Sequence, residues 1–103
     1  MKVKMWRLVI RIKKHDTLHG KPLHNALIDF LIKAGISGAT VWAGADGFGK
    51  HGRSRIHLEG IRIDYPLLIE VVEERPKLEP LLPQIGRMVG DHGLVTLEEV
   101  LVF

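Results

Sequence analysis

Between Gly44 and His57 the chain reads Gly-Ala-Asp-Gly-Phe-Gly-Lys-His-Gly-Arg-Ser-Arg-Ile-His, with four glycines in nine residues and the cations Lys50, Arg53 and Arg55 close behind. Glycine lets backbone N–H groups approach a ligand and takes φ > 0 without a Cβ penalty, so glycines followed by cations can cradle an anion. The same composition also suits a plain loop between two strands. A second such place is Gly86-Arg87-Met88-Val89-Gly90-Asp91-His92-Gly93, where a cation near a helix end precedes a glycine turn. Arg87 there would also complement the negative end of the helix dipole with no ligand involved. The candidate ligand-binding residues are therefore Gly47, Gly49, Lys50, Arg53, Arg55, Arg87, Gly90, Asp91 and Gly93.

Other chemistries fit these residues less well. Gly47-Phe48-Gly49-Lys50-His51-Gly52 spells G-x-G-x-x-G, but that pattern grips a pyrophosphate only where it opens a helix, and here the following residues alternate like a strand. Asp46 to His51 also looks partly like the first ribonucleoprotein motif of RNA-recognition domains. Phe48 supplies one stacking ring, whereas Lys50 and His51 stand where another aromatic and an apolar residue belong, and the glycines make a poor strand. An RNA-binding module of that topology is a second reading. His15, His19 and His24 invite a metal site, but Gly20 and Pro22 separate His19 from His24 and keep them off one helix. His51 and His57 leave metal binding open as a third reading. Ser54, Thr17, Asp46, Asp91 and Glu59 sit in no nucleophile or acid–base signature, and Glu73, Glu74, Glu98 and Glu99 read as solvated surface. No enzyme is indicated, and no resident cofactor or metal is expected.

The 103 residues fit one domain spanning 1–103. Fifteen Lys and Arg against 12 Asp and Glu give a net charge of +3, which permits an anionic partner but lacks the dense basic stripe of a duplex DNA binder. The absence of cysteine excludes disulfides, thiolate nucleophiles and Cys-based metal sites. Met1-Lys2-Val3-Lys4-Met5-Trp6-Arg7 alternates where a signal peptide would be continuously apolar, and no apolar run approaches membrane-spanning length, which predicts a soluble cytoplasmic protein. A single Asn25 and a single Gln84 beside no cysteine suggest a heat-adapted source.

The elements that must position the glycine segments follow in order. Val3 to Lys13 alternates, with Trp6, Leu8, Ile10 and Ile12 on one face and Met5, Arg7, Val9 and Arg11 on the other, which predicts a strand. His15 to Gly20 reads as a loop. A helix opens at Gly20-Lys21-Pro22, carries Leu23, Ala26, Leu27, Phe30, Leu31 and Ala34, and stops at Gly35. Ala39 to Ala43 is a second strand, Arg55 to Ile63 alternates again, and Leu67 to Val72 is an apolar central strand. Pro76 to Val89 has helical spacing, with Pro83 predicting a late start or an irregularity. Gly90 to Gly93 is a turn, and Leu94 to Phe103 is the last strand. The order β-α-β-β-α-β predicts a ferredoxin-like α+β sandwich, a four-stranded antiparallel sheet with two helices on one face.

Two helices cover only one face of such a sheet. Met5, Val9, Leu68, Val72 and one of Trp6 or Trp42 would lie on the other, and a monomer rarely leaves so much apolar surface in water. The pattern predicts self-association through that face.

Taken together, Gly20-Lys21-Pro22-Leu23, Gly38-Ala39-Thr40-Val41, Gly47-Phe48-Gly49, Ser54-Arg55-Ile56-His57 and Met88-Val89-Gly90 followed by Gly93-Leu94-Val95-Thr96 resemble the domain of unknown function 190 family, over nearly the whole chain. That family is similar to the PII signalling proteins and to the CutA proteins. The resemblance implies a homotrimer with its sheets facing the threefold axis and three clefts between subunits. In PII proteins a small effector, often an adenine nucleotide, binds in those clefts between a long loop and a Gly-rich loop, and loop movement reports occupancy to a target protein. Gly44 to Arg55 stands where the long loop would be, and Gly86-Arg87, Gly90-Asp91 and Gly93 resemble the second loop. Leu94 stands where PII proteins place a lysine, and Tyr65, the one tyrosine, lies outside the long loop. The implied function is a non-catalytic PII-like sensor of a small anionic ligand, with a CutA-like form of the metal reading as the alternative.

Overall fold

The computed structural model describes residues 1–49, 52–55 and 64–103. Strand β1 (Val3–Lys13) lies at the centre of a four-stranded antiparallel sheet ordered β4-β7-β1-β8, with β4 at Thr40–Ala43, β7 at Pro66–Glu73 and β8 at Leu94–Val102. This is the ferredoxin-like arrangement that the element order predicts. Between β1 and helix α1 (Leu23–Lys33) lies a small hairpin, β2 (Thr17–Leu18) with β3 (Lys21–Pro22). The predicted loop is thus partly paired. Its turn residues His19 and Gly20 both take positive φ, 51° and 80°, as a two-residue hairpin turn matching strand twist requires. The helix begins after Pro22, and the Leu23 N–H donates to the Asp16 carbonyl at 2.8 Å in place of a side-chain cap. It ends at Gly35, left-handed at φ 81°.

Past β4 the chain forms a second hairpin, β5 (Asp46–Gly49) with β6 (Gly52–Arg55). The expectation that these glycines make a poor strand is corrected here. Arg53 donates from Nε and Nη2 to the two carboxylate oxygens of Asp46 at 3.0 and 2.6 Å, so side chains hold a register that glycine propensity does not. The alternating run predicted through Ile63 falls largely on residues 56–63, which lie outside those described, as do Lys50 and His51.

The second helical region is broken where its prolines dictate. Helix α2 (Arg75–Leu78) passes through a 3-10 turn at Glu79–Leu81 into α3 (Leu82–Val89). Pro76 and Pro83 each fall in a first turn, where the missing N–H is harmless, so the irregularity sits at Pro80, one proline earlier than predicted.

Both helical regions cover one sheet face. Leu8, Ile10 and Ile12 of β1, Ile69 and Val71 of β7, Leu23, Leu27 and Leu31 of α1, and Leu78, Ile85 and Val89 of the second helical region make one buried cluster. Trp6 belongs to this side, with the Arg75 guanidinium 4.6 Å from its ring centroid. Trp42 is therefore the tryptophan of the open face, and it is 56% exposed. At the centre of that face Arg7 bridges Glu70 of β7 and Glu98 of β8, with N–O distances of 2.6 and 2.7 Å. Glu98 is thus a partner across the sheet as well as a surface group. No helix among the described residues is long and apolar enough to cross a membrane.

Two local constraints fix the ends of these elements. Glu73, read from sequence as surface, is 5% exposed. Its Oε1 accepts from the Ser37 N–H and hydroxyl at 3.2 and 3.0 Å, and its Oε2 accepts from the Glu74 N–H at 3.2 Å. The Ser37 backbone bond is the first cause holding this carboxyl below its ordinary pKa, against the opposing effect of burial. At the other end, Gly90 takes φ 55° with ψ −132°, a region open essentially to glycine. Gly93 lies so close to β1 that a Cβ there would overlap the Arg11 carbonyl oxygen.

Two outcomes follow. Because the Glu73 pKa is depressed in the folded state, its contribution is present above the unfolded carboxylate value of about 4.3 and lost as pH falls through the folded one. Thermal unfolding midpoints should therefore fall on acidification below about pH 4, and Glu73→Gln should be less stable at pH 7 with a shallower acid slope than wild type. Gly93→Ala must push backbone against backbone and should cost about 1–3 kcal/mol in urea unfolding. Gly49→Ala meets nothing within 4 Å and should stay within about 0.5 kcal/mol of wild type.

Candidate functional site

Alternation along β1, β7 and β8 sends every second side chain away from the helices, and at one end of the sheet these outward residues form the floor of a cleft of about 900 Å³. Arg11, Leu68, Trp42 and Leu94 lie on this floor. One wall is the β5 strand, with Gly47, Phe48 and Gly49, and the opposite wall is the turn Gly90, Asp91, His92 and Gly93. The two glycine-rich segments are far apart in sequence and belong to opposite edges of the sheet, yet both line this one cleft.

Each wall has its own anchor. The 90–93 turn is tied to α3 by the Gly90 N–H donating to the Gly86 carbonyl at 2.9 Å and the His92 N–H to the Val89 carbonyl at 3.0 Å. His92 also reaches Asp16 on the β1–β2 turn, Nδ1 to Oδ1 at 3.5 Å. The other wall is pinned at its base, where the Gly44 N–H donates to the Pro66 carbonyl at 2.7 Å and the missing Gly44 Cβ makes room for the Pro66 ring. Beyond that point the Asp46–Arg53 pair closes the hairpin on the surface, both side chains at least half exposed.

Of the residues singled out from sequence, Gly47, Gly49, Gly90, Asp91 and Gly93 line the cleft. Arg53 does not: its guanidinium is turned to Asp46. Arg87 does not either, since its Nε and Nη2 donate to Gln84 Oε1 at 3.2 and 2.9 Å on the helix surface. The Arg55 backbone belongs to β6, and Lys50 lies outside the described residues. Sequence reading missed Arg11 and Trp42 as cleft residues, assigning Arg11 only to the sheet face. Its outward phase at the end of β1 was the available signal, and what could not be read was which end of the sheet the glycine turns would reach.

The remaining readings also meet the geometry here. Phe48 is 90% exposed but belongs to the separate β5–β6 sheet, so it offers no ring on a central strand of the kind an RNA-recognition platform needs. Among the described residues no group of three or more His, Asp or Glu side chains gathers to hold a metal. His51 and His57 lie outside those residues. His24, on α1, has a pKa lowered by burial and then by Lys14, and its buried Nδ1 has no partner among the described residues.

Comparison with known proteins places this geometry in context. A solved structure of CPII from Thiomonas intermedia K12, a nitrogen regulatory PII-like protein bound to ADP, AMP and bicarbonate, superimposes with a TM-score of 0.77 at 23% identity, covering 99% of this chain and 91% of that one. At this identity the likeness is one of fold. A UPF0166 protein of Methanocaldococcus jannaschii is 26% identical over 96 residues, 93% of this chain and 89% of that protein. One from Aquifex aeolicus is 34% identical over 100 residues, 95% of this chain and 92% of that protein. The model of the DUF190 family, described as an uncharacterized ACR, matches residues 5–102, and this chain belongs to that family.

Proposed function

We propose that this protein is a PII-like regulatory sensor that binds an adenine nucleotide or another small anionic ligand, without catalysis, and reports occupancy to a target protein. It would act in the cytoplasm as a homotrimer, its open sheet faces packed together and its clefts completed between subunits. The observation that carries the reading is the meeting of two glycine-rich walls, Gly47 to Gly49 and Gly90 to Gly93, over one cleft. Of the glycine amides, those of Gly49 and Gly93 would donate to the anion and that of Gly47 would do so on leaving the Asp46 carboxylate, the Gly90 N–H staying on Gly86. Lys50, Arg53, Arg55 and Arg87 would supply charge beside Asp91, Arg87 by leaving Gln84. Arg53 would reach the ligand by exchanging the Asp46 carboxylate for the ligand's anion. That CPII carries ADP, AMP and bicarbonate supports the choice of ligand class. The apolar groups left on the open face away from the cleft floor, Val3, Val72 and Val102 among them, support assembly through it.

Native mass spectrometry of gently purified protein tests subunit count and retained ligand together. A trimer carrying up to three nucleotide-sized masses is expected, and a bare monomer would overturn the reading. By calorimetry with ADP, Arg53→Ala and Arg87→Ala should each weaken binding roughly tenfold, the loss of about one charge-assisted hydrogen bond. Wild-type affinity in both variants would remove these cations from the site.

A further inference from the structure

A single row of the sheet crosses the cleft floor. In the strand register Trp42 is opposite Leu68, Leu68 is opposite Arg11, and Arg11 is opposite Leu94. Directly opposed residues share a face, and all four line the cleft. The row therefore sets an indole at one edge of the sheet and a guanidinium on the central strand, with a leucine between them.

Spacing and chemistry distinguish these two positions. Adjacent strands lie about 4.8 Å apart, so the backbones at Trp42 and Arg11, two strands apart, are separated by about 10 Å. The indole is 56% exposed on an edge strand, so a flat ring can reach its face. The Arg11 guanidinium makes no hydrogen bond or ion pair with any described residue, whereas other ionisable groups of the cleft are engaged: His92 with Asp16, and Asp46 with Arg53. Gly93 packs against the backbone of Arg11, and both line the same cleft.

A stacking surface, an apolar middle and an exposed cation on the central strand, in line, match a molecule with a planar base at one end and a phosphate at the other. We infer that Trp42 stacks the base of a nucleoside phosphate and Arg11 binds its phosphate, the ligand lying along the 42–68–11–94 row with Leu68 beneath the sugar. This rests on the sensor reading above and assigns it a direction of binding and two residues that recognise the ligand.

Calorimetry with ADP, adenosine and inorganic pyrophosphate on wild type, Arg11→Gln and Trp42→Leu separates the two ends. Both side chains are exposed, so both variants should fold, and thermal melts monitored by circular dichroism check it. Arg11→Gln should weaken ADP and pyrophosphate roughly tenfold and leave adenosine within about twofold. Trp42→Leu should weaken ADP and adenosine roughly tenfold and leave pyrophosphate within about twofold. ADP binding by wild type that either variant retains unchanged overturns this inference alone. A wild-type protein that binds none of the three ligands overturns the nucleotide form of the sensor reading and this inference together.

Discussion

Strand β1 is paired on both edges, to β7 and to β8, and its register cannot slip by one residue without turning Leu8, Ile10 and Ile12 to water. Burying each such side chain is worth roughly 1.5–3 kcal/mol, so the pleat of this one strand is the constraint on which both sheet faces depend. The phase that buries those residues also points Arg7, Val9 and Arg11 outward. Arg7 then joins the strands on either side through Glu70 and Glu98. Arg11, one turn of the alternation beyond Val9, arrives at the cleft. The open face and the cleft floor are thus the reverse side of the core, positioned by the same burial.

Much of this could be read from the residues because it rests on periodicity. The alternation at Val3 to Lys13, the i, i+4, i+8 spacing of Leu23, Leu27 and Leu31, and the left-handed stop at Gly35 are local signals, and local signals carry the element order that defines the fold. The features that were misread depend on partners distant in sequence. Glu73 looks like any solvated glutamate until Ser37, 36 residues earlier, supplies its donors. The glycines of β5 look unfit for a strand until Asp46 meets Arg53. Within the cleft, the glycines could be recognised by composition, but Arg11 and Trp42 are ordinary strand residues whose place on its floor comes from register alone. Arg53 and Arg87 show the converse, cations conspicuous in sequence that the fold turns to Asp46 and Gln84.

The two walls of the cleft are held by interactions of different kinds, and that difference bears on how such a site responds to occupancy. The 90–93 turn is fixed by backbone: a helix-end hydrogen bond, a glycine-only conformation at Gly90 and the packing of Gly93 on Arg11. None of these can be exchanged for a ligand contact without disturbing α3 or β1. The β5–β6 wall is pinned at Gly44 against Pro66, and beyond that its two strands pair with each other, joined by an Asp46–Arg53 pair at the surface, a class of interaction that adds little net stability. One wall is therefore fixed by the fold's own backbone, and on the sensor reading proposed above the other is the wall whose surface contacts a ligand would exchange first.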